Sequence, residues 1–335
     1  MKPTFHHRLV NGQYEDPCLY VRMIREKRAF LFDVGNIDRL KPGDLQKITD
    51  VFVTHMHIDH FIGFDTLLRA LLRREMPLRM YGPETIIECI EGKLRGYSWN
   101  LIEGYPLKLE VFGIGNRDIT QSSFHARNGF RRVTGETTAF DGVVRRESSF
   151  CIRASLLSHG IPCLGYSLEE EFHINIDKAA LKSLGLPVGP WLSSLKRMIR
   201  EKSGMDIPLQ VGERQFLLSE LIQVAKVTEG QKISYLVDLS PEEENVHKAI
   251  EIAMDSDTLY CEAYFLHEDI GRAVERHHLT AKIAGEIAKK ARVKHLILTH
   301  ISPKYRNLSG VVEKEAMDHL SYRKNEAGGP ASEPL

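Results

Sequence analysis

The segment Thr54-His55-Met56-His57-Ile58-Asp59-His60 places four metal-capable side chains within six residues. Histidines at i and i+2 can converge on one cation, while the Asp and His that follow turn toward a second cation beside it. Neutral imidazoles combined with hard carboxylates suit zinc or manganese. The alternative, a set of solvated loop histidines, gives no reason for this spacing.

The elements that must position the cluster are legible around it. The run Val51-Phe52-Val53 reads as a buried strand. Behind the cluster, Phe61, Phe64, Leu67, Leu68, Leu71 and Leu72 recur at three- and four-residue intervals, which predicts one helix starting where the polar residues end. The cluster is therefore expected on a strand-to-helix loop. Other strand-like runs also end on chemistry: 31–32 runs into Asp33, 233–237 into Asp238, 258–261 into Glu262 and 295–299 into His300. Loops after strand ends are where α/β proteins place their sites, so an α/β fold is expected. Over 105–155 the pieces shorten and carry the turn signals Arg127-Asn128-Gly129 and Asp141-Gly142, which predict antiparallel hairpins. About 170–225 reads as an insertion standing off the core, with Gly185-Leu186-Pro187-Val188-Gly189-Pro190 before a basic amphipathic stretch at 192–202. Residues 326–335 are too poor in apolar side chains to fold and are expected to be a disordered tail behind a single domain over 1–325.

Composition narrows the function classes. With 42% hydrophobic and 27% charged residues among 335, the chain can bury a substantial core. A formal net charge of zero excludes a global field for nucleic acid, so such a partner would need local basic patches. Cys18, Cys89, Cys151, Cys163 and Cys261 are scattered and form no C-x-x-C pair, as in a reduced, cytoplasmic protein. No apolar core of a signal peptide opens the chain and no apolar run approaches membrane-spanning length, so no membrane partner is expected.

The H-x-H-x-D-H cluster resembles the signature loop of the metallo-β-lactamase superfamily. Ser158-His159-Gly160, followed by Gly165-Tyr166-Ser167-Leu168-Glu169-Glu170, is similar to a block of the ribonuclease Z family. The Gly-x-Pro-x-Gly-Pro stretch at 185–190 resembles that family's arm. The pattern Ala281-x-x-Ala284-x-x-x-Ala288-Lys289 with Leu296-Ile297-Leu298-Thr299-His300-Ile301-Ser302-Pro303 resembles its closing block. The resemblance implies a four-layer αββα sandwich with an inserted arm, and an endoribonuclease that removes 3′ extensions from precursor tRNA. It also implies two zinc ions, with manganese or iron as substitutes. His55, His57 and His159 would hold one ion, Asp59, His60 and His300 the other, with Asp238 bridging. Asp59 would also orient or deprotonate the attacking water. His278, in His278-Leu279-Thr280, would donate a proton to the leaving oxygen, with Glu262 fixing its tautomer. Adjacent His277 is a rival, set aside because its spacing to Thr280 does not match. A homodimer is implied as well.

The departures bear on substrate. Asp33-Val34-Gly35-Asn36 stands where the family has an acidic and polar run, Val237-Asp238-Leu239 replaces a Gly-Asp-Thr, and Cys261-Glu262-Ala263-Tyr264 replaces H-E-A-T. A hydrolase of a small or cyclic phosphodiester, or of another ester, is the alternative reading; a metal or RNA-binding module without turnover is a third. Asp33 fits either a carboxylate holding a ligand imidazole or a strand-end cap. The basic runs at 127–132, Arg145-Arg146 and Lys196-Arg197 with Arg200 and Lys202 fit phosphate contacts or solvated faces. Trp191 fits an anchor within the arm or a contact to nucleic acid.

Overall fold

In the computed structural model, which describes residues 4–24, 26–308 and 310–320, two β-sheets pack face to face between outer helices. The first sheet has eight strands in sequence order: Phe5–Leu9, Leu19–Met23, Ala29–Phe32, Ile48–Phe52, Leu78–Pro83, Lys108–Ile114, Asp118–His125 and Arg132–Ala139. Its middle is parallel, from Ala29–Phe32 to Lys108–Ile114, and both flanks are antiparallel. The second sheet runs His295–Thr299, Thr258–Glu262, Lys232–Leu236, Pro162–Glu170, Phe150–Ser158, Val143–Arg146, parallel in its first three strands and antiparallel beyond. The hairpins expected over 105–155 thus supply an edge of each sheet.

The aromatic residues of the strands fill the space between the sheets. Phe32 and Phe52 stack at 5.1 Å, Phe52 and Tyr81 at 5.0 Å, and Tyr166 of the second sheet meets Phe52 edge-on at 5.7 Å. The last of these contacts joins the two sheets, with little side-chain freedom to lose. Outside the first sheet, Phe64, Leu67, Leu68 and Leu71 form the buried stripe of the helix Phe64–Leu71. Outside the second lie Glu243–Ala253, Ala281–Lys290 and Val311–Leu320. This is the αββα order expected from the sequence.

The chain leaves the core at His173–Ile176 and returns antiparallel beside it at Ala225–Thr228. Between these strands, Leu181, Leu186, Trp191, Leu195, Leu218, Leu221 and Val224 make a small core of their own. Trp191 is turned into that core, its Nε1 donating to the Pro187 carbonyl at 2.9 Å, so it anchors the segment to itself. The basic helix Trp191–Arg200 lies on this substructure. The tail over 326–335 lies outside the described residues.

One expectation is corrected at the metal-capable cluster. The helix behind it begins earlier and is broken: Ile58–Phe61, capped by His57, is followed after Ile62 and Gly63 by Phe64–Leu71. Asp59 and His60 therefore sit on a first helical turn and not on the loop. The break lets the turn after Ala29–Phe32 pass through: Val34 N donates to the His60 carbonyl and Gly63 N to the Val34 carbonyl, both at 2.9 Å. A Cβ on Gly63 would lie 2.1 Å from the Gly35 carbonyl oxygen. Gly63→Ala is expected to destabilise the fold by about 3 kcal/mol, since backbone on both sides must move. Chemical denaturation measures this, and an unchanged midpoint contradicts it.

Candidate metal centre

The seven metal-capable residues singled out in the sequence meet at one end of the sandwich. His55, His57, Asp59 and His60 come from the end of Ile48–Phe52 and the helical turn after it, and His159 from the turn between Phe150–Ser158 and Pro162–Glu170. Asp238 and His300 follow the parallel strands Lys232–Leu236 and His295–Thr299. Donor atoms of His55, His57, His159 and Asp238 lie within 4.8 Å of one another, as do those of Asp59, His60, Asp238 and His300. Asp238 belongs to both groups. Its Oδ2 is 3.3 Å from His55 Nε2 and 2.9 Å from His60 Nε2, and its Oδ1 is 2.6 Å from His300 Nδ1. Asp59 Oδ2 stands 3.6 Å from His60 Nε2 and 3.5 Å from His300 Nε2.

Backbone strain serves this convergence. Asp33, Asp238 and His300 are non-glycine residues with left-handed φ of 57°, 57° and 51°. Each lies just beyond a strand, where the unusual turn swings its side chain back across the strand end. Such conformations cost of order 1 kcal/mol or more and concentrate at functional sites.

Several imidazoles are tethered through the nitrogen facing away from the centre. Asp33, fully buried, accepts from His60 Nδ1 at 2.9 Å, Thr54 N at 2.7 Å, Thr54 Oγ1 at 3.0 Å and the Tyr235 hydroxyl at 3.1 Å. It therefore holds an imidazole and braces a strand end at once. His159 Nδ1 donates to the His277 carbonyl at 2.8 Å. His277 thus acts through its backbone, while its ring covers Gly160, where a Cβ would meet it at 2.9 Å. His278 is the one beside Glu262: its Nδ1 donates to Oε2 at 2.8 Å. Glu262 Oε1 accepts from Leu239 N at 2.8 Å and Leu279 N at 3.3 Å, so one carboxylate ties the Asp238 and His278 loops together.

Charge and burial divide the histidines. Burial and the neighbouring His60 push His55 down to about 2, so its imidazole is neutral. Burial also opposes a charge on His60, but Asp33 and Asp238 on its two sides raise it to about 10. His300 is likewise raised by Asp238 against burial, and His278 to about 9 against burial by Glu262. Asp238 is held well below its ordinary range, against burial, by His300 and His60; Asp59 falls to about 2, against burial, through its bond with His300.

The donor set fits divalent cations on an independent observation. Among the described residues, His55 Nε2, His60 Nε2, Asp238 Oδ1 and His300 Nδ1 are buried polar atoms with no aligned hydrogen bond, although they crowd within ion-pair distance. Buried donors and acceptors without partners are costly and rare unless something else satisfies them. Here four of them face one another around a carboxylate.

Sequence reasoning missed Thr54, Tyr235, the His277 carbonyl and the ring of Tyr264, which lies against His278 with centroids 4.1 Å apart. Thr54 had a signal in its place directly before His55. The others come from distant stretches and carry none.

Comparisons with known proteins bear on the family and the fold. No protein-family model matches the chain. A ribonuclease Z of Synechocystis sp. is 30% identical over 294 residues, covering 85% of this chain and 77% of the relative. The crystal structure of human tRNase Z, short form, superposes with a TM-score of 0.51 at 19% identity, covering 90% of this chain and 93% of that one. The metallo-β-lactamase fold protein YhfI from Bacillus subtilis superposes at 0.54 with 15% identity, covering 96% and 94%. The fold is thus that of the metallo-β-lactamases.

Proposed function

The chain belongs to the ribonuclease Z family, and from that premise we propose that it is a dinuclear metal-dependent endoribonuclease that cleaves 3′ extensions from precursor tRNA. The observation that carries the reading is the convergence of seven donor residues from four stretches of chain into two groups that share the carboxylate of Asp238. In this reading His55, His57 and His159 would hold one zinc and Asp59, His60 and His300 the other, with Asp238 available to both; manganese or iron would fit the same donors. When bound, two such cations would make hydroxide available near neutral pH and stabilise charge on the phosphate oxygens.

The remaining work falls to the chain. Asp59, about a third exposed at the mouth of the site, has one carboxylate oxygen to turn toward the attacking water and accept its proton. His278 donates a proton to the 3′-oxygen as it leaves, because an alkoxide is a poor leaving group without one. Glu262 keeps Nδ1 of that imidazole occupied, so the opposite nitrogen faces the substrate. Asp33 sets the orientation of His60. Asp33→Asn is expected to weaken metal binding about 10- to 100-fold while leaving the fold intact. Competition against a chelator measures it; unaltered affinity would return Asp33 to the role of a strand-end cap.

The segment at about 170–225 is proposed as an arm projecting from a single domain over 1–325, with the basic face of Trp191–Arg200 toward RNA. A homodimer is proposed too, and a monomer in light scattering counts against it. Five free cysteines support a reducing, cytoplasmic setting, and no described helix is long and apolar enough to cross a membrane. The test of function is incubation with 3′-extended precursor tRNA and zinc or manganese. A product ending in a 3′-hydroxyl, absent with chelator, is expected. An intact precursor beside a hydrolysed simple phosphodiester rejects tRNA and favours a small ester or phosphodiester substrate.

A further inference from the structure

We propose that Tyr264 is a positioning residue for the proton donor, its ring stacked on His278 so that the imidazole plane, and with it the nitrogen opposite Glu262, keeps one direction toward the leaving oxygen. The inference rests on the role given to His278 above. Tyr264 follows Glu262 and Ala263 at the end of the strand Thr258–Glu262. Its half-buried ring lies parallel to the His278 imidazole, with centroids 4.1 Å apart and planes 8° apart. The hydrogen bond from Nδ1 to Glu262 fixes one atom and leaves the ring free to swing about the N···O line. A parallel aromatic face removes that freedom. The His159 ring also approaches His278, with centroids 4.8 Å apart and planes tilted by 55°.

The tyrosine is itself fixed. Its carbonyl accepts from Ser302 N at 3.2 Å, which ties it to the loop after His300, and Phe265 packs edge-on against its ring at 5.0 Å. Where the resembling family block has threonine, this chain therefore carries a side chain large enough to hold the imidazole by its face. Stacking needs the ring and not the phenol oxygen, so phenylalanine should serve and alanine should not.

The experiment compares an ordinary scissile linkage with one in which sulfur replaces the bridging 3′-oxygen. The P–O3′ bond breaks with proton transfer to oxygen, whereas a thiolate leaves without a proton and is indifferent to the donor. Tyr264→Ala is expected to lower kcat on the ordinary linkage by on the order of tenfold, with KM within about twofold, a fraction of what a general acid supplies. It should cleave the sulfur linkage at the wild-type rate, and Tyr264→Phe should match wild type on both. Equal losses on both linkages, or none on either, overturn the proposal. His278→Ala separates the levels. If sulfur rescues His278→Ala but not Tyr264→Ala, the stack alone is refuted; if it rescues neither, the donor role of His278 falls and the stack with it. Independently of turnover, the His278 ring-proton resonances should move downfield in Tyr264→Ala and stay in place in Tyr264→Phe. Resonances unmoved in Tyr264→Ala would refute the stack.

Discussion

Asp238→Ala is expected to reduce kcat/KM for precursor tRNA by on the order of 10³-fold or more, about 4 kcal/mol of transition-state stabilisation, and to lower the affinity for both cations. Asp238 is the one residue shared by both donor groups, and its two oxygens reach His55, His60 and His300 at 3.3, 2.9 and 2.6 Å. Its removal takes from His60 and His300 the carboxylate that raises them and leaves the two donor groups without their shared member. The fold should survive, because the aromatic layer between the sheets is untouched; circular dichroism checks that. Retention of one tightly held cation with near-normal turnover would show that Asp238 does not bridge.

The second large effect is on metal affinity as a function of pH. In the metal-free protein His60 is raised to about 10 by Asp33 and Asp238, against burial, and His300 well above its ordinary value by Asp238. Both carry protons at neutral pH, and both must lose them to bind a cation. Affinity should therefore rise with pH, by roughly tenfold per pH unit for each proton displaced and up to about a hundredfold for two, below the raised values. The metal-free fold behaves oppositely. A raised histidine contributes stability that is complete below its unfolded value of 6.5 and is lost as pH climbs through the folded value of about 10. The depressed Asp59 contributes stability present above its ordinary 3.8 and lost as pH falls toward about 2. Calorimetry in two buffers of different ionisation enthalpy counts the released protons. Release of none, with affinity flat from pH 6 to 8, is the opposing result.

How far the site could be read from the sequence depended on distance along the chain. His55, His57, Asp59 and His60 are neighbours, so their spacing alone spoke for a metal. Asp238, His159 and His300 carry no local signal beyond a strand before them, and became candidates only through resemblance to a family. The helical periodicity behind the cluster was real, but it did not reveal that Ile58–Phe61 forms a separate turn. That break is imposed by the Val34 and Gly35 backbone threading past Gly63, a contact between distant segments. Side-chain direction was harder still. His277 and His278 are adjacent and chemically identical, and only the left-handed backbone at His277, φ 58°, turns one carbonyl to His159 and the next ring to Glu262. Asp33 was open between a cap and an imidazole brace because both use a buried carboxylate after a strand. Its four hydrogen bonds make it a brace for His60 and Thr54 together.

The most direct measurement is anomalous diffraction from crystals of the zinc-loaded protein at the metal's absorption edge. The account predicts two peaks, roughly 3.5–4 Å apart, one among His55, His57 and His159, the other among Asp59, His60 and His300, with Asp238 between them. A single peak, or peaks bound elsewhere while these seven side chains remain without metal, would contradict it.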